Sequence, residues 1–218
     1  MNFKLKLNEQ LIIFGTGSQA SYVIDNLNLN EEIKKNLSFV DLENNNMDFK
    51  HLSGFKIFND IKVANSYAQK KSSYSIVAHG NLSLKLDILK QIDKVNFINA
   101  IHENTSISKS VSIGCGNIIN SGAIILPNVV IGSHCIIHSG CVIEHDCQIN
   151  DSSNIAPGVI LAGGVIIGKN TYIYTGAKIG PKITIGDNCI IGAGSLVLND
   201  IPSGVKAFGS PAKIIEKV

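Results

Sequence analysis

Glu144-His145-Asp146 is the tripeptide of this chain best suited to moving a proton. An imidazole flanked by two carboxylates can be oriented by one of them and kept basic, which suits general-base work. The plainer reading is a solvated surface histidine. A second candidate is the turn Gly15-Thr16-Gly17-Ser18-Gln19, set between the apolar run Leu11-Ile12-Ile13-Phe14 and a helical face through Ala20, Val23, Ile24 and Leu27. Strand, glycine turn and helix together present backbone N–H groups to phosphate. Three readings stay open for the turn: a bare structural turn, a dinucleotide site, and a nucleoside-diphosphate site. The dinucleotide fingerprint lacks its third glycine, because Ala20 stands there. Asp41 closes a second expected strand, Ser38-Phe39-Val40, where ribose or base recognition is commonly placed. His79-Gly80-Asn81 closes a third, expected over Tyr74 to Ala78.

What must position His145 is legible in the spacing around it. From Ile101 to Val197 every sixth residue is Ile, Leu or Val, 17 positions without a polar interruption. Neither a helix nor an ordinary strand predicts a strict six; a hexapeptide repeat is the mark of a parallel β-helix. Three six-residue faces make an 18-residue coil, so residues 18 apart stack. Two residues before each aliphatic position the side chain is small or β-branched in most coils. Glycine often follows it (Gly114, Gly132, Gly168, Gly180, Gly186, Gly192), and a tight corner with left-handed dihedrals is the expected reason. His145 lies two residues past Ile143 and so belongs to a corner.

Ahead of the repeat, residues 1–100 read as a small α/β domain. A helix is expected over Ile61–Lys71, another over Leu82–Ile92, a polar loop over 42–55 and a last strand over Val95–Ile101. The β-helix domain runs over 101–218, and after Val197 a turn cluster replaces the repeat.

Composition narrows the function. There is no arginine, so bidentate guanidinium clamps on phosphate are excluded, and main chain, helix N-termini and lysine must do that work. A net charge of +2 gives no nucleic-acid surface. No apolar run is long enough for a membrane span and no leader pattern opens the chain, so a cytoplasmic protein is expected. Of five cysteines, Cys135, Cys141, Cys147 and Cys189 fall on the small-residue register, and the first three point from successive faces. They read as structural. The histidines are His51, His79, His102, His134, His138 and His145. His102 and His138 are two coils apart, but neither His134 nor His145 has the phase of a further ligand; no metal is expected.

An α/β start, a β-helix, the motif Glu144-His145-Asp146-Cys147 and a terminal Gly209-Ser210-Pro211-Ala212-Lys213 together resemble the bacterial nucleotide-sugar N-acetyltransferases of bacillosamine and perosamine biosynthesis. The sialic acid O-acetyltransferase-like proteins share this left-handed β-helix family. The resemblance covers essentially the whole chain. It implies that His145 is the general base and that Asp146 raises its basicity. It implies a nucleotide sugar on Gly17, Ser18, Gln19, Asp41, Leu42, Gly80 and Asn81. Acetyl-CoA would lie along the β-helix between subunits of a homotrimer, near Asn154, Gly163, Thr175 and Ala193, with Pro211 and Lys213 at its nucleotide end. Gly163, one coil beyond His145, would offer an N–H to the oxyanion. Gln19 and Asn154 stand where the family commonly has histidine. The implied reaction is N-acetylation of a nucleotide-linked, UDP-type, 4-amino-4,6-dideoxy sugar. Two alternatives remain, an O-acetyltransferase acting on a sugar hydroxyl such as that of sialic acid, and a non-catalytic trimeric binding protein.

Overall fold

The computed structural model describes residues 4–42 and 54–218, and the chain divides into two compact units, Met1–Ala100 and Ile101–Val218. Most of the polar loop expected over 42–55, with His51, lies outside the described residues.

The first unit contains β1 (Gln10–Phe14), α1 (Ser18–Leu27), α2 (Glu31–Lys34), β2 (Leu37–Val40), β3 (Lys56–Phe58), α3 (Ile61–Ala68), β4 (Ser73–Val77) and α4 (Leu82–Gln91). Its sheet is parallel with the order β3-β2-β1-β4. Leu11, Ile12, Ile13 and Phe14 are all fully buried, because a central parallel strand is covered on both faces. The strand order reverses at β1, between β2 and β4, and a crevice opens there at the carboxyl ends of the strands. The strand expected over Val95–Ile101 is much shorter than that. Only Ala100–Ile101 is extended in a ladder, and upstream Phe97 makes a single bridge to Ser75. The segment Val95–Asn99 follows the sheet edge without completing a fifth strand.

The second unit is a parallel β-helix. Two-residue strands repeat every six residues and each pairs in parallel with the strand 18 residues on, as Val142 does with Ile160 and Ile143 with Leu161. They build one sheet of five strands, one of six, and six strands of a sheet that the terminal hairpin completes to eight. Of the 17 aliphatic positions, only Ile107 and Ile113 are partly open, both in the first coil, which has a neighbour on one side only. Each fully buried aliphatic side chain contributes about 1.5–3 kcal/mol. The far end of the core is closed by Ile201, Val205 and Ala207. Beyond the turn cluster a hairpin of Val205–Gly209 and Ala212–Lys217 extends the eight-stranded sheet.

The corner glycines differ from expectation. Gly132, Gly168 and Gly186 do not have left-handed dihedrals. They are glycine because a Cβ would run into the next coil: at Gly132 it would meet Asp151 Oδ1 at 2.5 Å and at Gly186 the Ser203 nitrogen at 2.5 Å. The left-handed position comes two residues later. From Gly116 to Gly194 it recurs every six residues without a break, and it includes Asn128, Asp146 and Lys182 at φ 63°, 60° and 58°. Among the described residues no helix is long and apolar enough to cross a membrane.

Candidate active site

His145 stands at the corner between the six-stranded and five-stranded sheets, side chain outward. Asp146, next to it in the left-handed position, turns its carboxylate back onto the ring, with Oδ2 2.7 Å from Nδ1. The other carboxylate oxygen accepts from Asn128 Nδ2 at 3.0 Å. Asn128 is itself tied to the coil before, its N–H donating to Ser110 Oγ at 3.0 Å. Ser110, Asn128 and Asp146 are 18 residues apart, so the stacking of coils aligns them. The hydrogen bonds from His145 and Asn128 hold the Asp146 carboxyl below its ordinary range. With Nδ1 engaged by a carboxylate, Nε2 is the ring nitrogen left for chemistry.

Nε2 faces Gly163. A Cβ on Gly163 would lie 2.7 Å from Nε2 and 2.8 Å from Cε1, so only glycine leaves the ring where it is. Gly163 has an ordinary φ, so the proximity of the imidazole is what explains this glycine. Sequence spacing brought His145, Asp146 and Gly163 together; Asn128 was overlooked, although counting 18 back from Asp146 finds it.

The other expected positions lie elsewhere on the prism. Thr175 and Ala193 are exposed on consecutive coils at the corner between the eight- and six-stranded sheets. Ala193 lines an open groove of about 450 Å³ with Tyr174, Ile190, Gly192, Lys206 and Phe208. Tyr174 stacks on Tyr172 at 4.4 Å. Asn154, on the eight-stranded sheet, is buried and not on an open surface. Beside it His138 is also buried, which lowers its pKa, with the Asn154 amide opposing in part. Pro211 and Lys213 are exposed in the terminal hairpin. Cys135, Cys141, Cys147 and Cys189 are buried and free. Their thiols approach carbonyl oxygens of the following coil, Cys141 that of Ala156 at 3.1 Å and Cys147 that of Ala162 at 3.2 Å.

In the first unit a pocket of about 250 Å³ occupies the crevice at the ends of β1, β2 and β4. All seven positions expected there, Gly17, Ser18, Gln19, Asp41, Leu42, Gly80 and Asn81, line it, as does His79. Its glycines have different causes. Gly15 has φ +130° and a Cβ would overlap the Ala78 carbonyl, so the fold requires it. Gly17 has φ −82° and, among the described residues, no atom within 4 Å of a Cβ. Among the same residues Gly80 would meet Gln19 alone, at 3.8 Å. Neither Gly17 nor Gly80 is demanded by the fold, and both keep the pocket open. Gly17 caps α1 without a side-chain bond. The Ala20 N–H turns back to the Gly17 carbonyl at 3.0 Å, and the Ser18 and Gln19 N–H groups ahead of it lie at a helix end that favours an anion. Asn81 is partly committed, its Oδ1 capping α4 through the Leu84 N–H. Gln19 is 8% exposed, and among the described residues its Oε1 has no partner.

The β-helix of hexapeptide coils defines a class of repeat proteins, and comparison with known proteins places the chain within it. The bacterial transferase hexapeptide model (six repeats) matches residues 110–145 and 164–199. The chain belongs to the hexapeptide-repeat acetyltransferases, whose β-helix is left-handed. It is similar to PerB of Caulobacter crescentus in complex with CoA and GDP-perosamine, at 31% identity and TM-score 0.82 over 94% of this chain and 97% of that one. The acetyltransferase domain of PglB from Neisseria gonorrhoeae, in complex with acetyl coenzyme A, is 25% identical with TM-score 0.84, over 95% and 100%. Galactoside O-acetyltransferase of Escherichia coli K12 is 47% identical over 49 residues, 22% of this chain. The chain spans about a quarter of the length of such curated relatives, 24% in that case.

Proposed function

We propose that the protein transfers an acetyl group from acetyl-CoA to the amino group of a nucleotide-linked amino sugar, with His145 as general base. The observation that carries this is the chain Asn128–Asp146–His145, which leaves Nε2 free above Gly163. A thioester is already activated, so the protein must take a proton from the attacking amine and hold a transient oxyanion. Nε2 suits the first task and the Gly163 N–H the second. CoA and GDP-perosamine are the ligands of the similar Caulobacter protein, and acetyl-CoA that of the PglB domain.

The acceptor's nucleotide belongs in the pocket of the first unit. Its diphosphate has the uncapped end of α1 and the space beside Gly17, and Asp41 can accept from ribose or base. The resemblance implies UDP or another nucleoside diphosphate, and GDP is the nucleotide of the sugar bound by the Caulobacter relative. Titration calorimetry with UDP, GDP, dTDP and CMP, repeated on Gly17→Val, tests the assignment. One diphosphate should bind, and Gly17→Val should abolish that binding while leaving acetyl-CoA binding intact. No binding by any of the four, or equal loss for nucleotide and acetyl-CoA, would contradict it.

We further propose a homotrimer. Ile124, Val142 and Ile160 point outward on consecutive coils beside the His145 corner, and on its other side Val130 and Ile166 point outward two coils apart, with Gln148 between them. Apolar stripes flanking one edge suit a threefold interface in which a second subunit brings its Thr175–Ala193 corner to the first subunit's His145.

A further inference from the structure

The corner that carries His145 continues past it in a way the base alone does not explain. Two columns run along this corner with an 18-residue step. One contains Pro127, His145, Gly163 and Pro181; the other contains Asn128, Asp146, Gly164 and Lys182. His145 and Asp146 form one wall, Gly163 and Gly164 a bare floor, and Pro181 and Lys182 the opposite wall. The walls are two coil steps apart, about 10 Å. The Lys182 N–H is fixed to the Gly163 carbonyl at 2.9 Å. Its stem leans back over the floor, with Cγ 3.4 Å from the place of a Cβ on Gly164. Lys182 is exposed and, among the described residues, has no ion-pair partner, unlike Lys169, which pairs with Asp151 at 3.2 Å. The corner's other lysine, Lys109, lies two coils away on the far side of His145, behind Pro127.

We propose that Lys182 supplies the positive charge of the acyl-transfer notch, placing its ammonium beside the carbonyl oxygen of a thioester held on the Gly163–Gly164 floor. The proposal rests on reading this corner as the site of transfer from acetyl-CoA. In the step, the amine nitrogen bonds to the carbonyl carbon and the carbonyl electron pair moves to oxygen. Lys182 and the Gly163 N–H face that oxyanion. The carbon–sulfur bond then breaks, and the proton taken by His145 Nε2 from the amine passes to the departing thiolate. Base and cation thus approach the reacting carbon from opposite walls, and the missing Cβ atoms at Gly163 and Gly164 leave the space between. In a chain without arginine, lysine is the side chain that carries a standing positive charge at neutral pH.

Binding of two CoA thioethers tests the charge separately from turnover. S-carboxymethyl-CoA carries an anion where the oxyanion forms; S-ethyl-CoA is neutral there. The wild type should favour the carboxymethyl compound by on the order of 10-fold, as a charge-assisted hydrogen bond would. Lys182→Met, which keeps the stem, should reduce the preference to below about 2-fold while S-ethyl-CoA binds as before. Lys182→Arg should retain most of it, and Lys109→Met should change neither affinity. Equal weakening of both compounds in Lys182→Met would mean that the lysine holds a cofactor phosphate, and would overturn the proposal. So would an unchanged preference in Lys182→Met, or none in the wild type. If neither compound binds the wild type, the acetyl-CoA reading itself fails and the proposal falls with it.

Discussion

Asp146 is the residue on which the geometry of the base turns. The corner forces it into the left-handed region, where its carboxylate meets Nδ1 and Asn128 together. Its carboxyl is held low by His145 first and Asn128 second. A depressed carboxyl keeps its pairing above its ordinary range and loses it only as pH falls through the depressed value. Asn128→Ala removes one lowering cause, so Asp146 should titrate at higher pH than in the wild type. A carboxyl-carbon NMR titration reads this directly; an unchanged midpoint would mean that the Asn128 contact does not act on Asp146. Gly163→Ala should lower kcat by about 10-fold or more by pushing the ring from its position, since a 1 Å misplacement can cost on the order of 10²-fold. Its melting temperature should hardly move, because the corner is open. A kcat within twofold of wild type would show that the ring has room to retreat.

At the scale of elements, the β1–α1 turn separates a structural glycine from a functional one. Gly15→Ala should destabilise the fold by more than about 1 kcal/mol, through left-handed strain and overlap with Ala78. Gly17→Ala should leave the melting temperature unchanged and weaken nucleotide binding. The opposite pattern would reverse the two roles. The cysteines give a second check. Burial pushes the Cys141 thiol up to about 11, and Cys115 is the exposed cysteine of the five. Thiol labelling of the native protein at pH 8 should therefore modify one cysteine, and five after denaturation. The coil period, its inward aliphatics and the stacking of His145 on Gly163 were legible because period and spacing are read directly from residue type. The left-handed register was not, because Gly, Asn, Asp, His, Ser and Lys share that position and look unrelated until a dihedral unites them. The glycines that follow some of the aliphatic residues have a reason that local sequence does not carry: what Gly132 and Gly186 avoid is an atom of the next coil. The terminal hairpin follows no hexad, and α2 spans only four residues, too short for a periodic signal.

For the whole molecule, oligomeric state and acid stability follow from what is covered. The homotrimer proposed from the outward aliphatic stripes should sediment at about 70 kDa, three times the 23.3 kDa chain. Ile124→Glu with Ile160→Glu should dissociate it; a double variant that stays trimeric would place the interface elsewhere. Burial holds His138 neutral, with its pKa lowered from 6.5. The unfolded chain then binds a proton that the folded one refuses, so stability falls as pH drops below about 6.5 toward the lowered value. His138→Asn should flatten that part of the stability–pH curve; the same slope in both proteins would remove His138 as its cause.

The central claim is that one corner histidine, held by Asp146 over Gly163, is the base of acetyl transfer to a nucleotide-linked amino sugar. Release of CoA thiol from acetyl-CoA, with UDP- and GDP-linked 4-amino-4,6-dideoxy sugars as acceptors, measures it most directly in the wild type and in His145→Ala. The wild type should turn over at least one of them, and His145→Ala should lower kcat by on the order of 10²–10⁴-fold with little change in KM for acetyl-CoA. A His145→Ala protein that keeps kcat within about threefold of wild type would contradict the account.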